Sequence, residues 1–166
     1  MRVWRRHADI IIIVSTVYLC LGSNLGDKQT HIKKALALIT ERAGAILSLS
    51  GFYETQPWGY DSPETYQNVA VAIQTDLDPV TLLSVTQSIE REVGRQHKTI
   101  GGAYHDRVID IDILLYDDLL LQSPTLTIPH PLMHRRSFVL QPMNEIAPHI
   151  IHPVLQKTVT ELYCHF

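Results

Sequence analysis

The chain is predicted to fold as an α+β sandwich of the split βαβ, ferredoxin-like kind, a mainly antiparallel sheet with helices packed on it. Three observations carry that prediction. Short apolar runs rich in Ile, Val and Leu recur along the sequence, two segments between them have helical spacing, and the order is strand, helix, strand, strand, helix, strand. In such a sheet the helices cover one face and leave the other available for a ligand.

Residues 10–21 read as the first strand, leaving through the turn "GSNLGD". A helix is expected over 29–43, with Ile32, Leu36 and Ile39 on one face. "AILSLSGFYET" follows as a strand, then "QPWGYDSPET" as a loop rich in Pro, Gly and aromatics. In "YQNVAVAIQTDL", Val69, Val71 and Ile73 alternate with Ala70 and Ala72, the period of a strand. Asp78-Pro79 then supplies an N-cap and a first-turn proline for a second helix, which runs to Val93 and stops at Gly94. The long loop "RQHKTIGGAYHD" leads into the strand "VIDIDILLY", and "LTIPHPLMHRRSFVLQPMNEIAP" combines a strand end, a Pro-interrupted turn and a short helix.

At 166 residues the chain is one domain by size and long enough to bury a core. The start "MRVWRR", followed by an apolar run, imitates a secretory signal. Ile, Val and Tyr dominate that run and it is short for a bilayer, so it reads as a buried strand. The expected division is an extension over 1–16 and a single catalytic domain over 17–166. A net charge of −3 gives no argument for a non-specific polyanion binder, and Arg95, Lys98, Arg107, Arg135 and Arg136 in the second half leave room for a local cationic site. Cys20 and Cys164, at opposite ends, form neither a zinc spacing nor a disulfide framework and fit a reducing compartment. Of nine histidines, His130 and His134 have helical spacing, but Pro131 interrupts them.

The informative stretch is "HDRVIDIDILLYDD", residues 105–118. Alternation puts Ile109, Ile111, Ile113 and Leu115 on one face and Val108, Asp110, Asp112, Leu114 and Tyr116 on the other. Two carboxylates with Cα atoms roughly 6–7 Å apart on one strand face can reach a hard divalent cation, or straddle two. Mg²⁺ takes few protein oxygens and completes its octahedron with water and phosphate oxygens. Surface acids salt-bridged to Arg95 or Arg107 are the plain alternative. The cations Arg95, Lys98 and Arg107 just ahead favour a metal–triphosphate site, because guanidinium forks suit phosphate. Gln87 and Glu90 share a helix face, and His130 sits stiffly between two prolines. Thr55, Trp58, Tyr66 and Asn68 combine flat aromatics with an amide, a set suited to a planar heterocycle or simply to covering a core.

Together these segments resemble the 6-hydroxymethyl-7,8-dihydropterin pyrophosphokinase family of folate biosynthesis. "YLCLGSNLGD", "FYETQPWGYDSPETYQNVAVAIQT", "TQSIEREVGR", "DRVIDIDILLYDD" and "IPHPLMHRRSFVLQPMNEIAP" carry the likeness, in family order. The resemblance implies a cytoplasmic enzyme that transfers the terminal pyrophosphate of ATP to the pterin hydroxymethyl group and releases AMP. Asp110 and Asp112 would hold two Mg²⁺ ions, and Arg95 and Arg107 would engage phosphates from the closing loop. Gln87, Glu90, Lys98, Thr127, His130 and Arg136 would contact ATP. Tyr66 and Phe138 would sandwich the pterin, Asn68 would read its edge, and Thr55 and Trp58 would add mainly backbone contacts. Partners would be these two small molecules, with no nucleic acid, membrane or obligate protein. The family usually has Trp-Gly-Pro-Arg where this chain has Tyr104-His105-Asp106-Arg107. Asp106 thus adds negative charge beside the expected phosphate path. The competing readings are a D-x-D nucleotide-sugar transferase and a non-catalytic ferredoxin-like ligand-binding module.

Overall fold

A computed structural model describes residues 3–7, 10–94 and 106–166, with side chains from Ile12 onward. The strands are β1 (Val3–His7), β2 (Ile10–Ser23), β3 (Ala45–Leu49), β4 (Tyr53–Thr55), β5 (Tyr66–Thr75), β6 (Asp110–Tyr116), β7 (Leu121–Gln122) and β8 (Thr127–Ile128). The helices are α1 (Lys28–Arg42), α2 (Pro79–Val93), α3 (Ser137–Ile146) and α4 (Val159–Tyr163). The main sheet runs β6–β2–β5–β3 with every neighbouring pair antiparallel, which is the ferredoxin-like arrangement. β4 pairs with the start of β5, and β1 pairs with the first third of β2. β7 and β8 form a separate small ladder.

Local chemistry places the helix ends where the sequence puts them. The Asp78 carboxylate accepts from the backbone N–H groups of Val80 and Thr81, both at 3.0 Å, and Gly94 ends α2 with φ of 130°. Asp27 caps α1 by accepting from the Thr30 N–H at 3.1 Å. Ile32, Leu36 and Ile39 of α1 and Leu82 and Ile89 of α2 then bury their apolar stripe against Leu19, Leu21, Val69, Val71, Ile73 and Ile111. Each fully buried Leu or Ile contributes roughly 1.5–3 kcal/mol, so this layer supplies most of the driving force.

Three features depart from the expected pattern. The second sheet face is not left bare: α3 and α4 bring Val139, Leu140, Met143 and Leu162 onto Cys20, Ala70 and Leu114. The strand expected over 45–55 is broken, because the Ser50 hydroxyl accepts from the Ala70 N–H at 2.9 Å and donates to the Gly51 carbonyl at 2.8 Å. That side chain takes the place of a ladder bond, and the chain turns before β4. Finally, the register of β6 on β2 skips Leu114, so Tyr18 faces Leu115 while Leu19 faces Ile113. This bulge reverses the alternation beyond it. Leu115 joins the α3 side and Tyr116 the α1–α2 side, opposite to their expected faces.

Candidate active site

The floor of the site is two cross-strand rows. Gly22 on β2 faces Asn68 on β5 and Asp110 on β6; one step on, Cys20 faces Ala70 and Asp112. Cover from α3 and α4 reaches Ala70 and Cys20, and the Gly22 row lies beyond it. Small residues keep the floor low between the amide and the acids. A Cβ on Gly22 would come within 2.8 Å of Asn68 Oδ1 and 3.5 Å of Tyr66 Cδ1. Glycine is required here for close approach. Asn68, 2% exposed, donates from Nδ2 to Thr55 Oγ1 at 2.7 Å, which fixes the direction of its amide.

Asp110 and Asp112 are each faced by cationic or donor groups. Arg107 Nη1 lies 2.6 Å from Asp110 Oδ2, and Arg136 Nη1 lies 3.7 Å from Asp112 Oδ2. His130 Nε2 is 3.9 Å from the same Asp112 oxygen. Burial, reinforced by the Arg136 charge, pulls the His130 imidazole down to about 4, so near neutral pH this contact is not an ion pair. His130 Nδ1 accepts from the Leu132 N–H at 3.1 Å, which assigns the remaining proton to Nε2, on the Asp112 side. The backbone of His130 is anchored to the bulge, its N–H donating to the Leu114 carbonyl at 2.9 Å. Glu90, 5% exposed, accepts from the Ile111 N–H at 2.8 Å and so ties α2 to β6 between the two aspartates.

Two clefts meet at this acidic pair. One is lined by Trp58, Tyr66, Asn68, Asp110, Arg136 and Phe138, with Thr55 at its wall. Within it the Arg136 guanidinium lies 4.8 Å from the Trp58 ring centroid and 5.6 Å from that of Phe138, cation–π distances. The other cleft is lined by Ile111, Asp112, Thr127, His130 and Pro131 among others. Asp110 therefore faces the aromatic cleft and Asp112 the second one. Gln87, half-buried on α2 one turn before Glu90, lies outside the lining of both. Arg136 sits with the aromatic residues as well as beside Asp112. Arg95 and Lys98 lie outside the described residues.

Asn24, in the turn after β2, belongs to the site although its sequence position alone carried only a turn signal. It is fully buried and its amide bridges three segments. Nδ2 donates to Asp106 Oδ1 at 2.7 Å and to the Tyr60 hydroxyl at 3.3 Å, while Oδ1 accepts from the Arg107 N–H at 2.6 Å. Its own N–H donates to the Arg107 carbonyl at 3.1 Å. Asp106 thus has hydrogen-bond donors here, which answers the charge that looked unfavourable in the sequence.

As to metal, a pair of carboxylates on one rigid strand, with few other protein oxygens, fits a hard cation that takes its remaining ligands from substrate and water. Among the described residues no group of three or more His, Cys, Asp or Glu forms a closed metal cage. No helix among them is long and apolar enough to cross a membrane.

The architecture is thus an α+β, antiparallel ferredoxin-like sheet that presents two carboxylates between an aromatic cleft and a second cleft of mixed lining. The sequence pattern of the family described as 7,8-dihydro-6-hydroxymethylpterin-pyrophosphokinase (HPPK) matches residues 18–148, and the chain belongs to that family, the pyrophosphokinases of folate biosynthesis. It is 50% identical over 141 residues to the 2-amino-4-hydroxy-6-hydroxymethyldihydropteridine pyrophosphokinase of Porphyromonas gingivalis strain ATCC 33277, covering 84% of this chain and 95% of that one. The namesake from Aquifex aeolicus is 38% identical over 148 residues, covering 89% and 90%. Among solved structures, Plasmodium falciparum HPPK-DHPS with pteroate has a TM-score of 0.75 at 18% identity, over 92% of this chain and 44% of that one, a likeness of fold.

Proposed function

We propose that this chain, as a single catalytic domain over 17–166, catalyses the Mg²⁺-dependent transfer of pyrophosphate from ATP to the hydroxymethyl group of 6-hydroxymethyl-7,8-dihydropterin. The carrying observation is the Asp110–Asp112 pair standing where the two clefts meet. In the reaction the pterin hydroxyl oxygen forms a bond to the β-phosphorus. The bond from that phosphorus to the oxygen bridging the α-phosphate breaks, AMP leaves with that oxygen, and the hydroxyl proton goes to solvent. Two Mg²⁺ ions held by Asp110 and Asp112 would supply charge neutralisation of the phosphates and of the attacking oxygen.

The chain's own residues bind and orient. Asn68, its amide set by Thr55, reads the pterin edge beside Gly22, while Tyr66 and Phe138 offer their rings and Trp58 closes the wall. Arg107 and Arg136 face phosphate charge, and neutral His130 presents an Nε2–H donor to the same region. Thr127 lines the nucleotide side, with Gln87 and Glu90 behind it on α2. Arg95 and Lys98 carry the loop cations that the family resemblance assigns to phosphates. No protein nucleophile is needed; positioning and preorganised charge suffice. The enzyme is expected in the cytoplasm, acting on small molecules alone.

The test supplies the dihydropterin alcohol, ATP and Mg²⁺ and measures AMP. ADP release or sugar transfer would indicate a different enzyme, and binding without turnover a ligand-binding module. Asp110→Ala and Asp112→Ala are each expected to cut turnover by roughly a hundredfold or more while leaving pterin affinity within about threefold. A near-normal rate in either variant refutes the metal assignment.

A further inference from the structure

We infer that Asp106 and Tyr60 are positioning residues for the proposed pterin cleft, holding the Tyr66 ring through a directional chain of hydrogen bonds that ends on the Asp106 carboxylate. The inference rests on the reading of that cleft as the pterin site. Tyr60 donates its one hydroxyl proton to Asp106 Oδ1 at 3.0 Å. The Tyr60 and Tyr66 hydroxyl oxygens are 2.8 Å apart, and since Tyr60's proton is committed, Tyr66 is the donor. Asn24 Nδ2 donates to both Asp106 and Tyr60, so it holds the link from behind. Burial pushes both phenols above their ordinary pKa, which keeps each in the donor form.

The link joins three stretches of chain at the cleft wall. Tyr60 belongs to the loop between β4 and β5, Tyr66 opens β5, and Asp106 precedes Arg107, whose guanidinium grips Asp110. A bond between a phenol and a carboxylate is charge-assisted and stronger than a neutral one. Loss of the carboxylate removes the acceptor of the Tyr60 O–H at 3.0 Å and so loosens the hydroxyl that faces Tyr66. The acid at 106 serves ring binding, by setting the wall against which the ring stacks.

A network that merely glued loops would, when cut, lower melting temperature and harm both substrates alike. A positioning network has a different signature. Tyr60→Phe, Tyr66→Phe and Asp106→Asn retain shape and ring stacking; the two phenylalanines remove the hydroxyls of the chain, and the asparagine removes the charge that strengthens its last bond. Each is expected to weaken binding of 6-hydroxymethyl-7,8-dihydropterin, read by fluorescence titration, about tenfold. The KM for ATP should stay within about twofold and kcat within about threefold. Tyr60→Phe combined with Asp106→Asn should be little worse than either alone, because both cut one chain. Normal pterin affinity in all three variants, additive losses in the double variant, or parallel losses for both substrates with a depressed melting temperature would each overturn the inference while the parent enzyme still releases AMP. A parent enzyme that neither binds the pterin nor releases AMP would overturn the functional reading, and this inference with it.

Discussion

Gly22 shows how much of the site depends on one absent side chain. A methyl group there would meet Asn68 Oδ1 at 2.8 Å, and Asn68 is buried and tied to Thr55, so the amide must swing rather than bend away. Gly→Ala within a strand gains roughly 0.5–1 kcal/mol of propensity, whereas overpacking costs about 1–3 kcal/mol. The two effects nearly offset in stability but not in function. Gly22→Ala is therefore expected to change unfolding free energy by less than about 2 kcal/mol while weakening pterin binding about tenfold. Chemical denaturation and ligand titration check the two halves separately. At this scale the sequence was legible where chemistry is explicit, as for the two aspartates on one strand face. It was silent where a role depends on a distant partner: Asn24 and Asp106 are 82 positions apart and meet only in the fold.

At the scale of elements, caps and periodicity were readable because they are local. Helix α2 begins at Asp78-Pro79 and ends at Gly94 as the residues dictate. Asp78→Ala removes the acceptor of two backbone N–H groups and is expected to cost about 1 kcal/mol, roughly 3 °C in melting temperature. Pterin and ATP kinetics should be unchanged, since the cap lies at the far end of α2 from Glu90. The bulge at Leu114 was not readable, for a physical reason. The run Ile111–Tyr116 is apolar at every position except Asp112, and an unbroken apolar run fits either face after a one-residue skip. The strand break at Ser50-Gly51 did leave a signal, a small polar residue and a glycine inside a strand pattern. Helices α3 and α4 on the second face follow from the C-terminal segment, whose apolar stripe needed a surface that only the folded sheet supplies.

For the whole molecule, acid is expected to act through His152, which lines a cleft shared with Thr127 and His130. His152 is buried, its Nδ1 accepts from the N–H groups of Val154 and Leu155 at 3.3 and 3.2 Å, and the His134 ring lies 6.3 Å away. Burial, then the His134 charge, holds its pKa below 6.5 in the folded state. The unfolded chain therefore takes up this proton first as pH falls. The stabilisation from neutral His152 is complete above 6.5 and is lost as pH drops from there through the folded-state value. His152→Gln should melt with a smaller loss between pH 7 and pH 5 than the parent chain, and equal losses would count against this assignment.

Asn68, Gly22 and Asp110 occupy one rung of neighbouring strands, and that arrangement has a bearing on change over time. The spacing between adjacent strands is set by peptide geometry at roughly 4.7–4.9 Å and is nearly indifferent to side-chain identity. The interval separating the amide from the acid is thus a ruler made of backbone. Substitutions in the surrounding loops therefore leave that interval unchanged.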